Sequence, residues 1–92
     1  MRIRWTPPAV KDMQAISDFL KGHHPRYRQP TMRKLYERIR ALKDAPHIGR
    51  PGRMEGTREI PFSPVPYSAV YRVHDQAIEV WHIWHTTQTC SN

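Results

Sequence analysis

Arg50, Arg53 and Arg58 crowd into one glycine- and proline-punctuated stretch, Arg72 follows on an alternating segment, and His85 closes the last apolar run. Guanidinium groups grip phosphates and other anions through forked hydrogen bonds. A histidine moves protons near neutral pH. Arg58, Arg72 and His85 thus combine cations that grip anions with a group that donates or accepts a proton. Arg50, Arg53, Arg58 and Arg72 form a candidate target-binding set for an anionic partner. A plainer use competes with both. Arg58 and Arg72 can pair with Glu59, Glu79 or Asp75 on a sheet, and His85 can be a polar strand end.

Other chemistry has less support. His82 and His85 stand three apart on an extended segment and point to opposite faces, which makes a poor metal pair. His23 and His24 form a doublet in a polar link, and no zinc site is expected there. Cys90 is the single cysteine, so no intrachain disulfide is available, and with no base beside it an inert thiol is expected. Gly49, Gly52 and Gly56 lack the strand-to-helix context of a nucleotide-binding loop and serve loop conformation. Trp5, Trp81 and Trp84 read as core or partner-facing surface rather than as base-stacking platforms. Neither a metal nor a cofactor is expected.

The elements that must position these residues follow from periodicity. Arg2 to Trp5 alternates and predicts a short strand. Thr6 is a helix cap with Pro7 at the first helical position, where a missing N–H does no harm. Val10, Met13, Ile16 and Leu20 then recur at helical spacing, Phe19 widens the stripe, and Gly22 is a natural stop. His23 to Gln29 reads as a polar connection. Pro30 and Thr31 open a second helix with Met32, Leu35, Tyr36, Ile39 and Leu42 on its apolar face, and Pro46 ends it. After the loop HIGRPGRMEG the period changes to two. Thr57 to Phe62 predicts one strand and Val65 to His74 another, with Val65, Tyr67, Ala69, Tyr71 and Val73 facing one way. Asp75 and Gln76 supply a tight turn. Ala77 to Trp84 is the last strand, with Ile78, Val80 and Trp84 opposed to Trp81 and Ile83. Its two apolar faces place it inside the sheet. Residues 85–92 read as a loose polar tail.

The predicted class is α+β, in the order β-α-α-β-β-β, with a helical hairpin on one face of a small, mainly antiparallel sheet and the other face open. The 92 residues suit one domain with a thin core. Fifteen Lys and Arg against eight Asp and Glu leave a formal charge of +7, which favours anionic partners. Nucleic acid, an enzyme bound to nucleic acid and an acidic protein all fit. The start lacks the apolar run of a signal peptide and nothing approaches a membrane span, so a cytoplasmic protein without membrane contact is expected.

This order, with the residues that punctuate it, resembles the ParE/RelE toxin superfamily. Four pieces carry the likeness: RIRWTPPAVKDMQAISDFL, DAPHIGRPGRMEGTRE, PYSAVYRV and IEVWHIWH, in that sequence over nearly the whole chain. The resemblance implies a growth-inhibiting toxin whose partner is a cognate antitoxin, in a complex of which a heterotetramer is one form. Trp81, Trp84, Phe19 and Tyr36 are the candidates to face that antitoxin. RelE-like members cut mRNA on the ribosome, whereas ParE-like members poison DNA gyrase without being hydrolases. In the nuclease pattern an arginine stands just ahead of the LVY segment of the third strand; here that position is Ser68, in PYSAVY. The departure favours the gyrase poison and a non-enzyme. The alternatives are an endoribonuclease with its site relocated to Arg58, Arg72 and His85, and a non-toxic basic nucleic-acid-binding module.

Overall fold

In the computed structural model, which describes residues 1–86, strand β1 (Arg2–Trp5) runs into helix α1 (Pro7–His23) through Thr6. The Thr6 hydroxyl accepts from the Ala9 amide at 3.3 Å and donates to the Val80 carbonyl at 2.9 Å. One side chain thus caps the helix and fastens its start to the sheet. Ala9, Met13, Ile16 and Leu20 are the buried stripe of α1. Val10 and Phe19, expected in that stripe, are about half exposed, at 53% and 51%.

Helix α2 (Pro25–Ala41) begins after a single residue, His24. Gly22 therefore lies inside α1 rather than ending it, and the stretch expected as a polar link belongs almost wholly to the two helices. Pro25 explains the early start, because its φ is preset for a first helical position. Pro30 is carried within the helix, where it forgoes one amide hydrogen bond. Leu35 and Ile39 of α2, and Leu42 just past its end, are buried against α1 and the sheet.

Strands β2 (Arg50–Pro51), β3 (Arg58–Pro61), β4 (Tyr67–Val73) and β5 (Ala77–His85) complete a five-stranded sheet in the order β1-β5-β4-β3-β2. Only β1 is parallel to its neighbour, β5. The expected class and order hold, with one addition. The two-residue β2 sits in the glycine- and proline-rich loop, where the Gly52 amide donates to the Thr57 carbonyl at 2.8 Å and closes a hairpin onto β3. The helical hairpin covers one face, where Tyr67, Ala69 and Tyr71 of β4 meet Ile78, Val80 and Ile83 of β5.

A β-bulge corrects the predicted phase of β5. Pairing steps from Val70 opposite His82 to Tyr71 opposite Val80, so Trp81 has no partner across the ladder. The extra residue brings Ile83 to the core beside Ile78 and Val80 and turns Trp84 to the open face. His85, expected to begin the tail, belongs to β5, and the Thr86 amide still donates to Pro66 at 2.8 Å. Cys90 lies outside the described residues. No described helix is long and apolar enough to cross a membrane.

Candidate functional site

The open face is organised around a buried acid. Glu59 on β3 points away from the helices, opposite Val70, and is 2% exposed. Its Oε2 accepts from the Arg53 backbone amide at 3.0 Å, and the Arg53 and Arg50 guanidinium groups approach to 3.6 Å each. A carboxylate so placed draws the loop between β2 and β3 onto the sheet and fixes where two cations stand.

Two tryptophans also carry cations, one of them Arg53 again. The Arg72 guanidinium lies over the Trp81 ring at 4.6 Å, and that of Arg53 lies 5.4 Å from the Trp84 centroid. Arg72 also donates to the Glu55 carbonyl at 3.0 Å and passes beside Gly56, where an added Cβ would meet the guanidinium at 3.2 Å. Gly56 has φ +81°, so both its backbone and its lack of a side chain suit the crossing. His82 stacks on Trp84 at 5.1 Å and meets the Asp12 carboxylate at 3.0 Å. The same Asp12 oxygen accepts from the Ile83 amide at 3.0 Å, which satisfies the edge of β5 beyond the end of β1. At the turn end of this face, the Glu79 carboxylate accepts from the Trp81 indole at 2.9 Å and meets His74 at 3.1 Å. Those hydrogen bonds, Trp81's first, hold Glu79 below the usual carboxylate range.

From the helix side the segment leading into β2 is pinned by Tyr71 and Arg58. The Tyr71 hydroxyl accepts from the Gly49 amide at 2.9 Å and donates to the Pro46 carbonyl at 2.8 Å, and burial pushes its pKa up. Arg58 donates to the Gly49 and His47 carbonyls at 2.7 and 3.1 Å.

The predicted residues divide accordingly. Arg50, Arg53 and Arg72 come together on the open face with Trp81 and Trp84. Arg58 does not join them; it pairs with Tyr71 across the ladder, on the helix side. His85 is at the other end of the sheet, opposite Tyr67, with the two rings edge to face at 5.3 Å. Phe19 and Tyr36 occupy two separate hollows. Phe19 lines one beneath the hairpin end with Tyr27, Pro64 and Tyr67. Tyr36 lines a groove of about 480 Å³ with Trp5, Val10, Met13 and Met32. Sequence reasoning missed Glu59 as an organising group, Asp12 as an edge cap, and Trp5, Val10 and Met32 as groove walls. Val10 carried no signal, since three residues before Met13 it fits the helical stripe as well as Ala9 does four before it.

A helical hairpin on a mixed sheet is the fold of a family of toxins from toxin-antitoxin systems. The chain matches the model of the ParE toxin of type II toxin-antitoxin systems, parDE, over residues 3–89, and it belongs to that family. It is 30% identical over 87 residues to "Putative toxin Y4kP" of Sinorhizobium fredii, which covers 95% of this chain and 90% of that protein. Among solved structures it is similar to the chromosomal ParDE system of P. aeruginosa, with a TM-score of 0.84, 26% identity, and coverage of 92% of this chain and 95% of the other. The YoeB dimer of Staphylococcus aureus shares the fold, with a TM-score of 0.60 and 17% identity over 92% of this chain and 97% of that one.

Proposed function

We propose that the chain arrests growth by binding DNA gyrase rather than by cutting RNA, and that a cognate antitoxin neutralises it. The scatter of the nuclease candidates carries this reading. A hydrolase needs base, acid and phosphate-stabilising cation around one bond. Arg72 lies on the open face, while Arg58 and His85 lie on the helix side, separated by the four β4 steps from Tyr71 to Tyr67, about 13 Å. Ser68, opposite Trp84, brings no charge where the nuclease pattern has an arginine.

The open face is built instead for recognition. Arg53 and Arg72 are ordered over indole rings before any partner arrives, which lowers the entropy lost on binding. A preorganised cationic face suits an enzyme bound to DNA. The antitoxin reading draws on the exposed Val10, Phe19, Tyr27 and Tyr36 of the hairpin, on the +7 charge that an acidic partner offsets, and on the description of the P. aeruginosa relative as a toxin–antitoxin system.

A supercoiling assay with purified protein tests the proposal. Native protein inhibits gyrase, and the Arg53→Ala, Arg72→Ala double variant inhibits it less. Native protein that leaves gyrase untouched, together with cut transcripts by primer extension after induction, overturns the reading in favour of an mRNA interferase.

A further inference from the structure

Positive charge is concentrated on α2 as well as on the open face. Six of the chain's fifteen Lys and Arg fall within Pro25–Ala41, against a single acid, Glu37. Two of the six are engaged in holding the helix: Arg28 donates to the Ser17 hydroxyl at 2.9 Å and Arg38 to the Pro61 carbonyl at 2.8 Å. Arg26, Arg33 and Arg40 differ. They stand seven residues apart, almost two whole turns, and so line up as one stripe along the helix. All three are exposed, while Leu35, Ile39 and Leu42 bury the other side against α1 and the sheet. No ion pair or side-chain hydrogen bond engages their guanidinium groups among the described residues. Even Glu37, one turn beyond Arg33, does not pair with it.

The geometry of the stripe restricts what it can hold. At 1.5 Å per residue its arginines sit about 10.5 Å apart and its ends about 21 Å apart. A helix that lies on a bilayer needs an apolar face to bury. Here the neighbours of the stripe are Gln29, Pro30 and Glu37, all exposed, and the nearest large ring, Tyr36, lines the groove toward α1 instead. A fixed, straight row of cations fits a rigid row of phosphates. The major groove of duplex DNA is about 12 Å wide, so a stripe of about 21 Å laid across it reaches phosphates on both rims.

We propose that the outer face of α2 binds the phosphate backbone of duplex DNA through Arg26, Arg33 and Arg40, without reading its sequence. This surface belongs to the helical layer, on the far side of the sheet from Arg53, Arg72 and their tryptophans. A chain that holds DNA by its helical layer leaves the open face free for an enzyme on the same DNA. The inference goes beyond the gyrase reading and does not depend on it.

The test is anisotropy of a fluorescent duplex about 20 base pairs long, titrated with the full chain between about 50 and 200 mM salt. The duplex binds, and its affinity falls as salt rises. The Arg26→Gln, Arg33→Gln, Arg40→Gln variant lowers the slope of log affinity against log salt by about 1 per arginine, or about 3 in all. Glutamine is a good helix former and the three positions are exposed, so the variant folds, as circular dichroism checks. A second variant, Arg2→Gln, Arg4→Gln, Lys11→Gln, removes the same charge from exposed sites off the stripe and lowers the slope by less than about 1. No duplex binding at low salt, an unchanged slope in the α2 variant, or an equal fall in both variants overturns the proposal. So does equal or tighter binding of polyglutamate, of single-stranded RNA or of anionic phospholipid vesicles. The assay contains no gyrase, so its failure leaves the gyrase reading standing, and a failed supercoiling assay leaves DNA binding by α2 standing.

Discussion

Removing one oxygen from Tyr71 probes how the candidate site is held. Tyr71 is fully buried, and its hydroxyl is the only link from β4 to both the Gly49 amide and the Pro46 carbonyl among the described residues. Tyr71→Phe keeps the ring and deletes both bonds, leaving a buried Gly49 N–H without its acceptor. Two lost bonds and a stranded donor come to about 2–4 kcal/mol. In a chain of this size each kcal/mol moves Tm by about 4–8 °C, so a fall of roughly 8–32 °C is expected. Urea denaturation measures the difference directly, with an unchanged slope showing that the native fold is kept.

Alkaline titration adds a second reading of the same group. Burial raises the Tyr71 pKa above its ordinary 10.0, against smaller lowering effects of the Gly49 amide and Arg58. A raised folded value contributes stability that is complete below the unfolded pKa and lost as pH climbs through the folded one. The phenylalanine variant has no such group, so the stability gap between the two proteins narrows above about pH 10. A gap under about 0.5 kcal/mol at neutral pH, or one that stays constant through the alkaline range, would refute the account of Tyr71 as the pin of the segment leading into β2.

Three other outcomes follow from the same geometry. Glu59→Gln removes the charge that gathers Arg50 and Arg53; because those side chains are 70% and 45% exposed, the expected loss is only about 1–2 kcal/mol, shrinking in high salt, by urea denaturation at two ionic strengths. Glu79 has a lowered pKa, so its stabilisation is present above the unfolded carboxylate value and drains away as pH falls; Glu79→Gln flattens the acid limb of a stability–pH curve. Leu35→Ala empties a fully buried site between the hairpin and the sheet and costs about 2–5 kcal/mol by thermal or urea unfolding.

Most of the fold was legible because hydrophobic period and local punctuation agree. The Thr6–Pro7 start, the Asp75–Gln76 turn and the alternation of Tyr67, Ala69 and Tyr71 each signal one structure, and the fold has it. The hairpin link misread because Gly22 and Pro30 are breakers only on average. Gly22 has nothing within 4 Å of where a Cβ would stand, so its place in α1 is set by neither crowding nor an unusual turn. Pro30 sits near a helix start whose packing outweighs one missing bond. The two-residue β2 gave no periodic signal at all, since two residues cannot display a period.

The site was less legible, and a single extra residue accounts for much of it. Apolar core positions on β5 fall at Ile78, Val80 and Ile83, an interval of two followed by three. Strict alternation cannot produce that spacing, and a bulge does, by letting two residues oppose one. With tryptophan at both 81 and 84, either phase leaves an apolar residue on each face, so composition alone does not choose between them. Cations choose. Arg72 and Arg53 are anchored to the open face by β4 and by Glu59, and each settles over an indole only if both tryptophans are there. The bulge thus converts what reads as core into the floor of a cationic surface. Sequence periodicity fails on β5 at Trp81, the residue whose ring carries Arg72 on the open face.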